Sequence, residues 1–244
     1  CWAFGTVGVM ESALKIAGAN TTDLSEQFLI SCNRDGWSCN GGLTAHEYHL
    51  NKLGYSQTAV GAVLESAMPY TQSNGSCSLK THPYTLQNWA FITGSEWTIP
   101  TVDQIKTAII TYGPVTAGIC VGDNFRAYTS GVMSVGDDAN YYCGGNTNHQ
   151  IIIVGWNDTT QSWIVRNSWG SSWGETGYIR IKYGLSRVGE GTSYVIVNTT
   201  GLTLAAPGLI SPDINSVINT IGPTFSWSSV TNNITYQIQI DNTS

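Results

Sequence analysis

The chain has 244 residues, a net charge of −6, 41% apolar residues and only 11% charged ones. That apolar share is enough to build a core, which excludes a disordered polar chain, and the absence of any basic stretch excludes a nucleic-acid partner. No run is long and apolar enough to form a membrane-spanning helix.

Val7, Met10, Leu14 and Ile16 recur near the helical period, which predicts a helix over residues 1–17 with Gly18 as its stop. Gly5 and Gly8 weaken that helix, each by up to about 1 kcal/mol against alanine, so their small size points to close packing. Ser25-Glu26-Gln27 opens a second helix, capped by Asp23 or Ser25. Leu43–Leu53 reads as a third. His46 and His49 lie at i and i+3 on it and read as a solvated face, because no Cys or carboxylate cluster completes a metal site. His82, beside Pro83, falls in a loop. The pattern changes at Gly113. Val115–Ile119, His149–Gly155, Ser162–Arg166 and Gly177–Lys182 are short β-rich runs bounded by Gly, Asn or Asp. A helical part to about residue 105 and a β-barrel-like part ending near Asn198 follow, with a ligand cleft expected between them. Beyond Gly201, Ala206-Pro207 and Ser211-Pro212 mark a boundary, and Pro223–Trp227 and Thr235–Ile240 read as strands.

A thiol, an imidazole and an amide, in the order Cys1, His149, Asn167, are the groups that make and hold a reactive thiolate. The last two fall roughly 150 and 165 residues after the first. Around them stand Cys1-Trp2-Ala3-Phe4, Leu24-Ser25-Glu26-Gln27 followed by Cys32, and Cys39-Asn40-Gly41-Gly42. Pro69-Tyr70 followed by Cys77, Gly113-Pro114-Val115, and Asn167-Ser168-Trp169-Gly170-Ser171-Ser172-Trp173-Gly174 complete the set. In these blocks the chain resembles the papain-like cysteine peptidases over roughly residues 1–197. The end of the chain resembles the opening of a fibronectin-type-III-like module, with Trp227 as a core residue.

The resemblance implies an α+β fold over residues 1–200, a helical and a β-barrel-like subdomain with the active-site cleft between them, then a linker and a partial β-sandwich segment over 201–244. It makes Cys1 the nucleophile, its thiolate favoured by a helix N-terminus. His149 becomes the acid and base, Asn167 the group that orients the imidazole, and Trp169 a shield over their hydrogen bond. The backbone of Asn40, Gly41 and Gly42 is expected to pair with an extended peptide. Leu43, Ala117, Gly118 and Thr147 map to the main side-chain pocket and imply an apolar preference two residues before the scissile bond. Asn148 adds no charge there, and Trp173 reads as core.

Six cysteines are present. By the resemblance Cys32 pairs with Cys77. The family's partner for Cys143 has no counterpart, so Cys120 is assigned to it instead. The family partner of Cys39 and an oxyanion-stabilising Gln both belong ahead of Cys1. The chain is therefore expected to be truncated at its front, to react with thiol probes and to hydrolyse peptides poorly. Disulfides imply an oxidising compartment. Sequons at Asn20, Asn74, Asn157, Asn198, Asn233 and Asn242 fit a secreted surface, and fit compositional accident equally well. The expected protein is a secreted or cell-surface monomeric endopeptidase acting on polypeptides, without metal or cofactor, with C-terminal β modules available for surface attachment.

Two other classes stay open. An N-terminal-nucleophile amidohydrolase would use Cys1 and its own amine, but such nucleophiles start a strand and leave His149 and Asn167 without roles. An inactive peptidase-like binding module would suit the β-rich tail, yet all three reactive residues are in place.

Overall fold

Ten of the first fourteen positions of this chain have to be buried for its first helix to sit where it does. In the computed structural model, which describes residues 1–19, 23–200, 209–211 and 226–227, α1 (Trp2–Ile16) buries Trp2, Ala3, Gly5, Thr6, Val7, Gly8, Val9, Met10, Ala13 and Leu14. Two glycines make that possible. A Cβ on Gly5 would lie 2.8 Å from Gln150 Cγ, and one on Gly8 2.5 Å from Ile152 Cδ1. Both contacts belong to β4 (His149–Asn157). The helix thus lies directly against the strand that carries His149. It stops in a Schellman arrangement: Gly18 at φ 88°, with Ala19 N–H donating to Leu14 O at 2.9 Å and Gly18 N–H to Lys15 O at 3.1 Å.

Ser25 is the cap of α2 (Glu26–Cys32), its Oγ accepting from Phe28 N–H at 3.0 Å. The third helix is shorter than its pattern suggests. Instead of Leu43–Leu53, α3 spans Glu47–Leu50. Residues before it are held extended along α1: Gly42 abuts the Trp2 indole, where a Cβ would come within 2.7 Å, and Ala45 N–H donates to Thr6 Oγ1 at 3.1 Å. The solvated histidine face is also overturned. His46 and His49 are 0% and 1% exposed, because α3 turns that face onto β1 (Leu86–Phe91).

Next come α4 (Val102–Tyr112), β2 (Val115–Ile119), α5 (Asp123–Arg126), β3 (Val132–Met133) and α6 (Ala139–Cys143). They are followed by β4, β5 (Ser162–Arg166), β6 (Tyr178–Lys182) and β7 (Glu190–Val197). One sheet takes seven of these strands in the order β1-β7-β2-β4-β5-β6-β3. Its neighbours pair antiparallel except β3 with β6. Strand alternation divides the interior. Ile151 and Ile153 of β4 join Val115, Ala117, Ile119, Trp163, Val165, Ile179 and Ile181 in one core. A second core forms from Val7, Met10, Leu14, Phe28 and Leu29 with Leu86 and Val195 of the sheet edge. Part of the sheet therefore lies in the segment read as helical, since β1 is recruited beside β7. Disulfides join Cys32 to Cys77 and Cys120 to Cys143, and Cys1 and Cys39 are free and exposed.

Beyond Asn198, β8 (Leu209–Ser211) and β9 (Ser226–Trp227) pair antiparallel. The expected strand Thr235–Ile240 and the sequons at Asn20, Asn233 and Asn242 lie outside the described residues. Asn74, Asn157 and Asn198 are exposed. Among the described residues, no helix is long and apolar enough to cross a membrane.

Candidate active site

Cys1 is the N-cap of α1, a helix of 15 residues, and its carbonyl accepts from Gly5 N–H at 2.8 Å. The thiol therefore sits where unpaired N–H groups and the helix dipole favour an anion. Trp2 turns the other way and donates Nε1–H to Ser38 O at 3.0 Å. That bond ties the loop Cys39–Leu43 to the helix start. Ser38 and Gly41 close the loop with reciprocal backbone hydrogen bonds of 3.0 and 3.2 Å.

His149 opens β4, opposite Ile119 in the register with β2. Asn167 follows β5 and is pinned by its N–H to Gly177 O at 2.9 Å. The His149 Nε2 to Asn167 Oδ1 distance is 2.8 Å, and Ser168 N–H also donates to that Oδ1 at 2.8 Å. A backbone donor on Oδ1 fixes it as the oxygen. Nε2 therefore carries the imidazole proton, and Nδ1 is the basic nitrogen of the neutral ring. Trp169 lies 5.3 Å from the His149 ring, centroid to centroid, and Phe125 and Trp173 pack behind Trp169 at 5.4 and 5.3 Å. Asn167 is 8% exposed, so its bond to His149 is kept from water. Burial pushes the imidazole down to about 4, and the Asn167 hydrogen bond works against that. A lone His149 would be neutral at pH 7. An imidazolium here needs a thiolate as counter-charge, so the two charges form together.

Cys1 and His149 face each other across a cleft of about 260 Å³. No hydrogen bond joins them in the free protein; such contacts often tighten only when substrate binds. Asn40, Gly41, Gly42 and Leu43 line one wall, and Gly118, Thr147 and Asn148 the other. Asn148 clamps the neighbouring loop, accepting from Val121 N–H at 2.8 Å and donating to Val121 O at 3.1 Å. Ala117 is not part of the cleft. It is fully buried in the sheet core, because alternation along β2 sends it to the face opposite Gly118. Trp169 does not line the cleft and belongs to the aromatic cover of His149. Phe91, Glu96, Trp97, Glu190 and Gly191 do line it, and none was legible in the sequence. They arrive on β1, β7 and the segment after β1, which no pattern announced.

Behind Asn167 lies a second cavity of about 340 Å³, lined by Glu11, Asp23, Glu26 and Arg166. Arg166 Nη1 stands 3.9 Å from Glu11 Oε2. Burial, and then the charges of Glu11, Glu65 and Asp23, push the Glu26 carboxyl up to about 8. An unfolded chain releases this proton above about 4.5, whereas the fold keeps it to about 8. Glu26 therefore destabilises the fold progressively as pH rises through that window. Glu26→Gln is expected to be more stable than the parent by about 1–3 kcal/mol at pH 8 and near-equal at pH 4.5, read from denaturant melts. An identical gap at both pH values would mean that the carboxyl is solvated.

A model of the papain family cysteine proteases matches residues 1–198, and the chain belongs to that family. Cathepsin O of Homo sapiens is 35% identical over 191 residues, which is 75% of this chain and 54% of that protein. Fruit bromelain of Ananas comosus is 33% identical over 189 residues, 76% of this chain and 49% of that protein. The solved structure of bromelain from Ananas comosus in complex with the E64 inhibitor matches with a TM-score of 0.65 at 26% identity, over 81% of this chain and 89% of that one. The chain spans about half the length of the curated relatives it matches. Its fold over these residues is papain-like, with mixed α and β content.

Proposed function

We propose that the chain is a cysteine-type peptidase, with Cys1 as nucleophile, His149 as acid and base, and Asn167 as the residue that orients the imidazole. One observation carries this reading: a helix N-terminal thiol stands across a cleft from an imidazole whose Nε2–H is donated to a buried Asn167. His149 Nδ1 takes the proton of Cys1, and the thiolate attacks the substrate carbonyl. The tetrahedral intermediate collapses as the imidazolium gives that proton to the leaving amine, which breaks the C–N bond and leaves a thioester. Water then attacks the thioester, His149 taking its proton and returning it to the departing thiolate. The backbone of Asn40–Gly42, held open by glycines, pairs with an extended peptide.

The two disulfides support folding in an oxidising compartment and thus a secreted protein. Residues 1–200 form the peptidase domain in this reading. The β8–β9 pair supports 201–244 as a linker and the start of a fibronectin-type-III-like module that would tether the enzyme at a surface.

Cys39 supplies an internal control, because it is also free, exposed and in the same cleft. After incubation with a peptidyl epoxysuccinyl reagent, intact mass and peptide mapping are expected to show one adduct, on Cys1. Equal labelling of Cys1 and Cys39 would show that Cys1 is an ordinary thiol and would sink the proposal.

A further inference from the structure

The aromatic cover of His149 rests on a short helix that has no side-chain cap of its own. Helix α5 spans four residues, Asp123–Arg126, and its N-cap is Gly122. A glycine has no side chain to accept from the free N–H groups of the first turn. It stands there because the ring of Tyr142 fills the place: a Cβ on Gly122 would lie 2.5 Å from Tyr142 Cδ2. That ring is held in turn by its hydroxyl, which donates to Asp123 Oδ2 at 2.8 Å, and by the adjacent Cys143, joined to Cys120.

Asp137 supplies the cap from another segment. Its Oδ2 accepts from Gly122 N–H at 2.9 Å and from Phe125 N–H at 3.0 Å, and its Oδ1 accepts from Asn124 N–H at 2.9 Å. The donors are the N-cap and the second and third residues of α5. Asp137 N–H donates to Ser186 Oγ at 2.8 Å, and Asn124 Nδ2 donates to Gly136 O at 3.2 Å, so the segment that carries the carboxylate is itself fixed. Asp137 is 5% exposed. A buried carboxylate met by three backbone donors is a charge-assisted brace, not a solvated surface ion. What it braces is the backbone of Phe125, a fully buried residue. The Phe125 ring lies 6.1 Å from His149 and 5.4 Å from Trp169, and it stacks on Trp173 at 5.0 Å, centroid to centroid. One carboxylate therefore sets the ring that backs both the imidazole and the indole over it.

We propose that Asp137 is a positioning residue for the thiol chemistry: by capping α5 it holds Phe125 against His149 and Trp169, and so keeps the imidazole in the orientation in which it takes the Cys1 proton. The inference rests on the peptidase reading. Alkylation of Cys1 by an uncharged peptidyl epoxysuccinyl probe, followed to saturation, separates the limiting rate kinact from the half-saturating concentration KI. Asp137→Ala is expected to lower kinact about tenfold and to leave KI within about twofold, because the cleft wall Asn40–Leu43 is untouched. Asp137→Asn, which keeps one accepting oxygen, should fall between, and it carries the test where the alanine variant does not fold. Phe125→Leu should copy the loss. The double variant Asp137→Ala/Phe125→Leu should be no slower than the slower single one, since both act through one ring. A purely structural carboxylate would lower the melting temperature and the amount of alkylatable protein, but leave kinact of the folded fraction unchanged. That result, or a double variant whose losses multiply, overturns the inference while Cys1 is still alkylated. Absence of alkylation in the wild-type chain overturns the peptidase reading, and this inference with it.

Discussion

His149→Ala is expected to slow alkylation of Cys1 by an uncharged peptidyl epoxysuccinyl reagent at pH 6.5 by about 10³-fold. The wild-type rate should stay high well below the pKa of a free thiol, because the proton leaves Cys1 for His149 rather than for solvent. Without the imidazole, the helix N-terminus is the remaining influence favouring the thiolate, and the rate should climb with pH toward the free-thiol value of about 8.5. Asn167→Ala should fall between the two, by about 10- to 100-fold, since it removes only the acceptor at 2.8 Å that fixes the tautomer. The measurement is the second-order rate constant from pH 4 to pH 9. Superimposable profiles for wild type and His149→Ala would exclude the Cys–His pair.

The residues proposed to react each stand in a contiguous sequence block whose local structure serves them. Trp2 follows Cys1 because an indole is needed to hold the Ser38 loop. Trp169 follows Asn167 closely because an aromatic ring must cover the imidazole. Gly42 stands in its block because the Trp2 ring leaves no room for a Cβ. This part of the cleft wall was not legible, since no local rule places Phe91, Glu96 or Glu190. The strand β7 begins Glu-Gly-Thr-Ser, which reads as a loop. Its Thr192 and Ser193 are nevertheless 1% and 0% exposed, because β1 and β2 flank the strand on both sides. A polar strand buried by its neighbours leaves no trace in a hydrophobic pattern. Ala117 failed for a simpler reason. It is adjacent to Gly118 in sequence, and neighbours on a strand face opposite ways.

Some of what was missed did carry a signal. Thr101-Val102-Asp103-Gln104 is a capping box. Gln104 N–H donates to Thr101 Oγ1 at 3.2 Å, and Thr101 N–H to Gln104 Oε1 at 2.9 Å. It announces α4, but the helix buries only Ile105 and Ala108, so its apolar stripe is too thin to read. The boundary expected near residue 105 from the helical pattern falls inside this helix.

The buried histidines of α3 should make the fold acid-sensitive in a way that can be isolated. Burial first, and then the charge of its neighbour, pushes His46 down to about 3, and His49 likewise, with His49 acting on His46 and His82 on His49. His46 Nε2 meets Ser193 Oγ at 3.2 Å, while His46 Nδ1 and both nitrogens of His49 have no partner among the described residues. Both rings are therefore neutral in the fold. The unfolded chain protonates them below about pH 6.5, so stability is lost between 6.5 and about 3. From pH 7 to pH 5 each ring should cost about 2 kcal/mol, a large part of a typical total of about 5–15 kcal/mol. Glu26 acts in the opposite direction over the same interval, so the wild-type melt alone conceals the effect. Comparing wild type with His49→Leu cancels Glu26. The variant is expected to gain about 2 kcal/mol on the parent between pH 7 and pH 5, and a variant lacking both rings about 4 kcal/mol. A gap that does not change with pH would mean that these histidines charge in the native state, and that the α3 face is wetter than its 0% and 1% exposure implies.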